Sequence, residues 1–305
     1  MVLDGNIAPT AWTNGGRPHA SRSFSMREGS TTYAAKTLAA FLRTCGQRST
    51  RHCAFSAGSP AKTTAKWQAL LARLRHRPIT ITVNGTATTY TYPHLVADVR
   101  NLLFFVQPLV TLSPRVRNGG WPGAAALLQD LWQARNAKPG TSPAPAPAAG
   151  AAAQRYAGFE QFYSVICGDA PSPRPSAFPG LQRRLLRRGD GPISLPGLWG
   201  DDEPCATWPV HQQNTYRGPW DAPTPPILLV NLTTDIATPL PNAIKMTHEL
   251  ANTRLLVVHG YGHTVFLNPS TCANHYETAY FRTGALPPKG TICQQNLRPF
   301  PRPGG

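Results

Sequence analysis

Acidic side chains and long apolar runs are both scarce in this sequence of 305 residues. Fourteen Asp and Glu stand against thirty Lys and Arg, which gives a formal net charge of +16. No window approaches the roughly 18 apolar residues of a membrane-spanning helix, and no internal repeat is visible. The basic excess makes nucleic acid or an anionic surface a partner to consider. However, basic residues are spread from Arg17 to Arg302 without a recognition helix or a zinc spacing. We therefore expect no membrane span and no specific nucleic-acid partner.

Closely spaced cysteine pairs of the kind that hold zinc are also missing. The six cysteines are widely and irregularly placed, which argues against a metal clip. An even number in loop-rich segments favours disulfides and an exported protein, whereas buried free thiols in a cytosolic chain are the alternative. Fifteen pairings are possible, and the sequence does not choose among them. The candidate disulfide residues are Cys45, Cys53, Cys167, Cys205, Cys272 and Cys293.

Prolines and glycines, by contrast, are abundant, at 32 and 26 residues. Such a composition argues for many loops and against a helical bundle, and the length allows one large domain or two modest ones. Asn84-Gly85 lies in an alternating Thr- and Tyr-rich stretch, which predicts a small exposed β-hairpin. Residues 138–153 are almost entirely Ala, Pro and Gly, so they cannot bury a core. Residues 171–200, rich in Pro and Arg, are predicted to be mostly irregular.

The most informative stretch lies between Pro225 and Phe266. Two apolar runs of strand length flank a helix-forming segment, the local pattern of a parallel α/β sheet. The first run leads to Asp235 and the second to His263. Catalytic groups gather beyond the carboxyl ends of parallel strands, so these two side chains are expected to lie close together. The alternative is an unrelated pair of solvated loop residues.

An Asp and a His in this arrangement are the orienting acid and the general base of a nucleophilic triad. In α/β-hydrolases the chain order is Ser, then Asp, then His. Asp235 before His263, separated by one helix, fits the last two members of that order. Gly260 and Gly262 would let the chain turn tightly before the histidine.

Several short motifs together resemble the tripeptidyl-aminopeptidase group of secreted α/β-hydrolases, relatives of proline iminopeptidase. Each motif is weak alone, but their order along nearly the whole chain is specific. The motifs are V-L-D-G at 2–5, C-A-F at 53–55, I-C-x-D at 166–169, P-C-x-x-W-P at 204–209, D-x-x-T-P at 235–239, G-x-G-H at 260–263 and G-x-L-P-x-x-G-T-x-C at 284–293.

The resemblance implies an α/β-hydrolase fold of which this chain is the C-terminal half of a parallel sheet with an inserted helical cap. Residues 1–30 would be the first core strand and its loop. Residues 31–157 would be the cap, with the Ala/Pro-rich insertion at 138–153, and residues 158–305 the C-terminal hydrolase core. It further implies a secreted exopeptidase that acts on the free amino terminus of short peptides and needs no cofactor. The six cysteines fit the implied location.

The nucleophile expected for this family is not found in the sequence. No G-x-S-x-G occurs, and Ser56 and Ser59 lie beside a cysteine loop and do not follow a strand. The family places its serine upstream of the V-L-D-G strand, with which this chain opens, and no signal peptide precedes that strand. We therefore expect the C-terminal portion of a longer secreted precursor, with about three core parallel strands. Such a portion would be inactive alone and would need a missing N-terminal half as its partner.

Two further acidic features remain open. Glu160, on a predicted helix, is a candidate to meet a peptide's amino group, and a solvated helix charge is the second interpretation. Asp201-Asp202-Glu203 is interpreted as a surface cluster, because three adjacent residues do not share one face, and no metal site is predicted. Three functions therefore compete: a serine hydrolase that uses Asp235 and His263, a non-catalytic secreted peptide-binding protein, and a basic nucleic-acid binder.

Overall fold

The computed structural model describes residues 1–17, 20–83, 85–108, 119–134, 159–210 and 214–301. The predicted Ala/Pro-rich insertion at 138–153 lies outside these residues, as does Asn84 of the predicted hairpin turn. The strands are β1 Val2–Asp4, β2 Ile79–Val83, β3 Thr86–Tyr90, β4 Ile227–Asp235, β5 Thr253–Gly262 and β6 Ile292–Gln294. The α-helices are α1 Pro9–Trp12, α2 Phe24–Glu28, α3 Ser30–Gly46, α4 Pro60–His76, α5 Tyr92–Leu102, α6 Gly120–Gln133, α7 Phe159–Asp169, α8 Phe178–Arg187, α9 Leu240–Glu249 and α10 Thr271–Thr283.

A four-stranded parallel sheet forms the base of the candidate site. Its strand order is β1-β4-β5-β6, and each neighbouring pair is parallel. The centre of β4 is buried on both faces, as expected for an apolar run in a parallel sheet. Helix α9 crosses from β4 to β5, so both strands end at the same edge of the sheet. The sequence predicted three core strands; β6 is a fourth, which its short length concealed.

Helices cover both faces of this sheet. On one face Leu229 packs with Ala8 and Ala11 near α1 and with Met246 of α9. On the other face Val230 and Val258 pack with Ala273 of α10. The protein therefore has the layered arrangement of an α/β fold.

The largest hydrophobic cluster lies outside the sheet, among α3–α6 and the hairpin. Trp121 and Phe41 are fully buried in it, and their rings meet edge to face at 5.6 Å. Ile236, which directly follows β4, and Phe300 belong to the same cluster. This packing joins the helical layer to the carboxyl ends of the strands.

Local sequence signals account for several helix boundaries. Ser59 begins α4 by accepting a hydrogen bond from the Lys62 amide, and Pro60 occupies the first helical position, where its missing N–H costs nothing. Ser270 caps α10 in the same way, and Gly284 ends that helix in the left-handed conformation. Helix α5 begins after Thr91, whose hydroxyl accepts from the His94 amide, and ends at Leu102.

The prediction that residues 171–200 are mostly irregular is wrong. Helix α8 occupies residues 178–187, and a π-helical turn follows at Gly197–Asp202. Phe178, Leu181 and Leu185 are buried on one side of α8. This helical spacing was present in the sequence but was masked by the surrounding prolines and arginines.

All six cysteines form disulfides that connect separate elements. Cys45–Cys53 closes the loop between α3 and α4, and Cys167–Cys205 joins α7 to the turn after the π-helix. Cys272–Cys293 ties α10 to β6. The predicted oxidised state is confirmed, and one of the fifteen pairings is selected.

Candidate active site

Asp235 and His263 meet at the carboxyl edge of the sheet. Asp235 is the last residue of β4, and His263 directly follows β5; Asp235 pairs in register with Gly262. The His263 Nδ1 lies 3.0 Å from Asp235 Oδ1 and 3.3 Å from Oδ2. The structure therefore brings together the two side chains that the sequence singled out.

The Asp235 carboxylate is fully buried and surrounded by hydrogen-bond donors. Its Oδ1 accepts from the backbone amides of Ala237 at 2.9 Å and Thr238 at 2.7 Å. Its Oδ2 accepts from the Thr264 amide at 2.9 Å. These donors hold the carboxylate in the orientation in which it contacts the imidazole. Thr238 Oγ1, at 3.3 Å from Nδ1, is a second neighbour of that nitrogen.

The His263 side chain is held at one nitrogen and is open at the other. Its ring contacts the edge of the Phe104 ring at a centroid distance of 5.1 Å, and 23% of the side chain is exposed. Among the described residues, Nε2 has no hydrogen-bond partner. An imidazole oriented at Nδ1 by a carboxylate and free at Nε2 has the geometry of a general base.

Two glycines make room for this arrangement. Gly5 follows β1 with a φ of +76°, and a Cβ there would lie 2.9 Å from Thr238 Oγ1 and 3.5 Å from a His263 ring carbon. Gly262 has a φ of +115°, and a Cβ there would lie 2.5 Å from the Asn268 side-chain amide. Both positions combine a conformation that favours glycine with a close approach of the site residues.

Asn268 and Asp4 hold the loop that carries His263. The fully buried Asn268 amide donates to the carbonyl oxygens of Phe104, His263 and Thr264, and its Oδ1 accepts from the Val106 amide. Asp4 accepts from the amides of Val265 and Phe266 at 2.9 and 2.7 Å. Asp4 therefore has an internal hydrogen-bonding role. Asn268 was not predicted from the sequence, although it lies only five residues after His263.

A cavity of about 490 Å³ opens beside His263. Phe104 and Ala237 form its wall near the strand ends. A second part of the lining is charged and acidic, and it consists of Glu28, Arg100 and Asp201. The remaining lining residues are Ile7, Phe24, Ser25, Asn101, Phe162, Ile166 and Thr238. Such a mixture of apolar surface and a few polar groups is typical of a ligand site.

Glu28 and Asp201, which line this cavity, and the neighbouring Asp202 are buried in a way that favours their neutral forms. Burial raises the pKa of Glu28 well above its ordinary value, and its Oε2 is buried without a hydrogen-bond partner. Burial also raises the pKa of Asp202 to about 7, although hydrogen bonds from Ser25 oppose the shift. Asp201 has a pKa raised by burial and partly restored by Arg100, whose Nη2 lies 2.9 Å away.

The interpretation of Asp201-Asp202-Glu203 as a surface cluster is therefore wrong. Asp202 is 2% exposed and accepts from the amide and hydroxyl of Ser25, while Asp201 lines the cavity. The π-helical turn points the adjacent carboxylates into different surroundings, which sequence spacing did not reveal. Within the described ranges no cluster of His, Cys, Asp and Glu could hold a metal ion.

The other predicted residues lie apart from the cavity lining. Glu160 is exposed on the first turn of α7, two residues before the cavity-lining Phe162. Ser56 donates its hydroxyl to the Arg48 carbonyl, and Ser59 caps α4. Ser25 is the one serine among the cavity-lining residues that the structure describes, and its hydroxyl donates to Asp202 at 2.9 Å.

Residues 197–293 match the family model Abhydrolase_4, described as TAP-like protein. The C-terminal portion of this chain is therefore similar to TAP-like α/β-hydrolases. The match contains both Asp235 and His263, and with the parallel sheet it confirms the predicted α/β-hydrolase fold class.

Curated proteins are similar to less than half of this chain. Tripeptidyl aminopeptidase of Streptomyces coelicolor is 32% identical over 143 residues, which are 46% of this chain and 26% of that protein. Serine protease Hip1 of Mycobacterium tuberculosis is 33% identical over 136 residues, 43% of this chain and 25% of that protein. Carboxylesterase B of the same species is 29% identical over 138 residues, 44% and 26% of the two chains. The chain thus spans about a quarter of the length of the curated relatives it matches.

Proposed function

We propose that this chain supplies the general base His263 and the orienting acid Asp235 of a Ser-Asp-His triad in a peptidase. The observation that carries the proposal is the 3.0 Å contact between His263 Nδ1 and a fully buried Asp235, beside a cavity onto which the ring opens. Asp235 holds the imidazole with Nδ1 protonated and stabilises the imidazolium that forms. His263 Nε2 then removes the proton from a serine hydroxyl as that oxygen attacks the substrate carbonyl.

The nucleophilic serine is proposed to come from polypeptide outside these 305 residues. Ser25 has its hydroxyl engaged with Asp202, and Ser56 and Ser59 bond to backbone groups in the helical layer. A serine on a strand-to-helix turn next to β1 would approach the same sheet edge as His263. Without that serine and its oxyanion donors, the Asp–His pair has no acyl-transfer activity of useful rate.

A fluorophosphonate probe, which labels activated serines, tests this assignment. The 305-residue chain is expected to remain unlabelled, and the polypeptide extended by its upstream coding sequence is expected to be labelled at one serine. His263→Ala and Asp235→Asn in the extended protein should abolish or strongly slow labelling. Labelling of Ser25 in the chain alone, or labelling of the extended protein that survives His263→Ala, would overturn the proposal.

The substrate class that fits the cavity is a short peptide with a free amino terminus. Glu28, whose Oε2 is buried without a hydrogen-bond partner, lines the same cavity as His263. A protonated amine entering there supplies the positive charge and the hydrogen-bond donor that this carboxyl lacks. Asp201 contributes a second acidic group, partly neutralised by Arg100.

Peptide binding to the chain itself distinguishes the two acid candidates. Calorimetry with a tripeptide and its N-acetylated form should show a preference for the free amine, and Glu28→Gln should weaken that preference by about tenfold. Glu160→Gln is the matched control, because Glu160 is exposed on α7. Loss of the preference in Glu160→Gln, with Glu28→Gln unchanged, would assign the amine to Glu160 instead.

A non-catalytic peptide-binding protein is the second candidate function. It is favoured by the absence, among the described residues, of any serine bonded to His263. This candidate predicts peptide binding by the chain together with no labelling of any extended polypeptide. An upstream G-x-S-x-G that becomes labelled would exclude it.

Export to an oxidising compartment is proposed from the three disulfides. Within the part of the chain that the structure describes, no helix combines the length and the apolarity needed to cross a bilayer. Thiol titration of protein taken from the culture medium should find no free cysteine, whereas six reactive thiols in unfolded native-source protein would contradict export.

A further inference from the structure

The surface of α8 carries four exposed arginines that belong to no site described above. They are Arg183, Arg184, Arg187 and Arg188, the last of which caps the helix. Within the described residues none of the four forms an ion pair. At 100° per residue they occupy one continuous arc of the helix, next to the buried side formed by Phe178, Leu181 and Leu185. We call these four residues the arginine face.

Apolar side chains are exposed directly beside the arginine face. Leu186, on α8 itself, is 44% exposed, and Trp199, in the π-helical turn, is 39% exposed. The Trp199 indole N–H donates to Gln182 of α8 at 2.6 Å, which holds the ring against the helix. Leu186 lies between the arginines and Gln182 around the helix axis. Arginines, a leucine and a tryptophan thus share one surface.

This surface continues to the mouth of the cavity. Tyr163 of α7 donates to the Gly200 carbonyl at 2.7 Å, which places α7 beside Trp199. On α7, Phe162 is 45% exposed and also lines the cavity, and Val165 is 57% exposed. The exposed apolar residues therefore run from the cavity rim to the arginine face.

We propose that this surface docks the protein on an anionic lipid membrane. Unpaired arginines are attracted to acidic headgroups, and their long stems together with Trp and Leu are suited to the boundary between headgroups and acyl chains. A soluble polyanion would use the four arginines but would gain nothing from exposed Leu186. The combination of charge and apolar exposure favours the lipid surface.

Vesicle co-sedimentation of the full chain tests the proposal. Binding to phosphatidylcholine vesicles that contain phosphatidylglycerol should exceed binding to pure phosphatidylcholine by about tenfold or more, and it should fall as salt rises. Replacing the arginine face by R183Q, R184Q, R187Q and R188Q should remove most of that difference. The matched control carries R43Q, R51Q, R217Q and R282Q, four exposed arginines elsewhere, and should bind like the unchanged protein.

A second measurement does not depend on the quadruple variant remaining folded. Brominated phosphatidylglycerol should quench part of the tryptophan emission, and that part should disappear in Trp199→Phe. Equal loss of binding in the control variant would show a general charge effect and would overturn the proposal. So would the absence of vesicle binding, or binding to a soluble polyanion such as RNA without Trp199 quenching by vesicles.

Discussion

Two buried carboxyls, Asp235 behind His263 and Glu28 in the cavity lining, are surrounded in opposite ways. Asp235 has three backbone N–H donors and an imidazole around it, so both of its oxygens are satisfied. Glu28 has an oxygen without a partner, and burial raises its pKa well above the ordinary value. Burial alone therefore does not decide what a carboxyl does; the donors placed around it do. The donors around Asp235 fix its orientation toward His263, whereas Glu28 keeps an oxygen without a donor.

The largest effect is expected from removing the negative charge of Asp235. Asp235→Asn in the serine-bearing polypeptide should slow fluorophosphonate labelling by about 10⁴-fold, because the amide no longer selects the reactive imidazole tautomer. Labelling rate measured against time gives the value directly. Asp221→Asn, at an exposed position, is the control and should be unchanged. A loss below about tenfold would mean that Asp235 does not orient the base.

Asp202, buried next to the cavity-lining Asp201, predicts a pH dependence of stability opposite to that of an ordinary ion-paired carboxylate. Asp202 has a pKa of about 7 when folded and 3.8 as its ordinary value, so between them the folded protein holds a proton that the unfolded chain has lost. Stability should therefore fall as pH rises from about 4 to about 7, by up to about 4 kcal/mol, with Glu28 acting in the same direction. Urea unfolding at several pH values measures this slope.

Asp202→Asn tests the assignment of that slope. The amide cannot ionise, so the fall in stability between about pH 4 and pH 7 should become shallower. Arg27, whose pKa burial lowers to about 10, keeps its positive charge across this range and does not produce the slope. An unchanged slope in Asp202→Asn would place the titrating group elsewhere.

A smaller effect, on the free energy of unfolding, is expected from Asn268→Ala in the loop that carries His263. The change leaves the Val106 amide and three carbonyl oxygens without their buried partner, at a cost of about 1–3 kcal/mol in unfolding free energy. Urea unfolding measures it, and Asn252→Ala, at an exposed position, should cost much less. Equal costs at the two positions would contradict the role of Asn268 in holding the loop.

The smallest expected effect is that of Ser25→Ala, which removes one hydrogen bond to Asp202. Since that bond favours the charged carboxylate, its loss should raise the pKa of Asp202 further. The cost should be about 1 kcal/mol at pH values above 7 and smaller near pH 5, where Asp202 is protonated. A cost that is the same at both pH values would show that the hydroxyl acts on the backbone of α2 alone.

The contrast between Asp235 and Glu28 also explains which parts of the site could be predicted from the sequence. Asp235 and His263 each follow a buried apolar run, and parallel strands bring their carboxyl ends to one edge, so a local pattern was sufficient. Glu28 reaches the cavity from a five-residue helix, and Asp201 from a π-helical turn some 170 positions along the chain. No local periodicity links them; only the packing of α2 against that turn brings them together.

Two elements were misjudged for different physical reasons. The apolar spacing of α8 was readable, but proline content outweighed it. Strand β6 has three residues, too few for an alternation to be recognised, and it depends on pairing with β5 and on the disulfide from α10. The hairpin, by contrast, followed from Asn-Gly turn chemistry alone, although only Gly85 of that turn lies in the described part.

The hydrogen bonds between the histidine loop and the end of α5 also bear on motion. The His263 amide donates to the Phe104 carbonyl at 2.8 Å, and the Val106 amide donates to Asn268. These two protons sit on opposite sides of the contact between the helical layer and the sheet. Neither should exchange with deuterium unless that contact opens, so their exchange should give the same opening free energy, as expected for a single cooperative unit. Any swing of the helical layer that breaks this contact would therefore loosen the loop that carries the base.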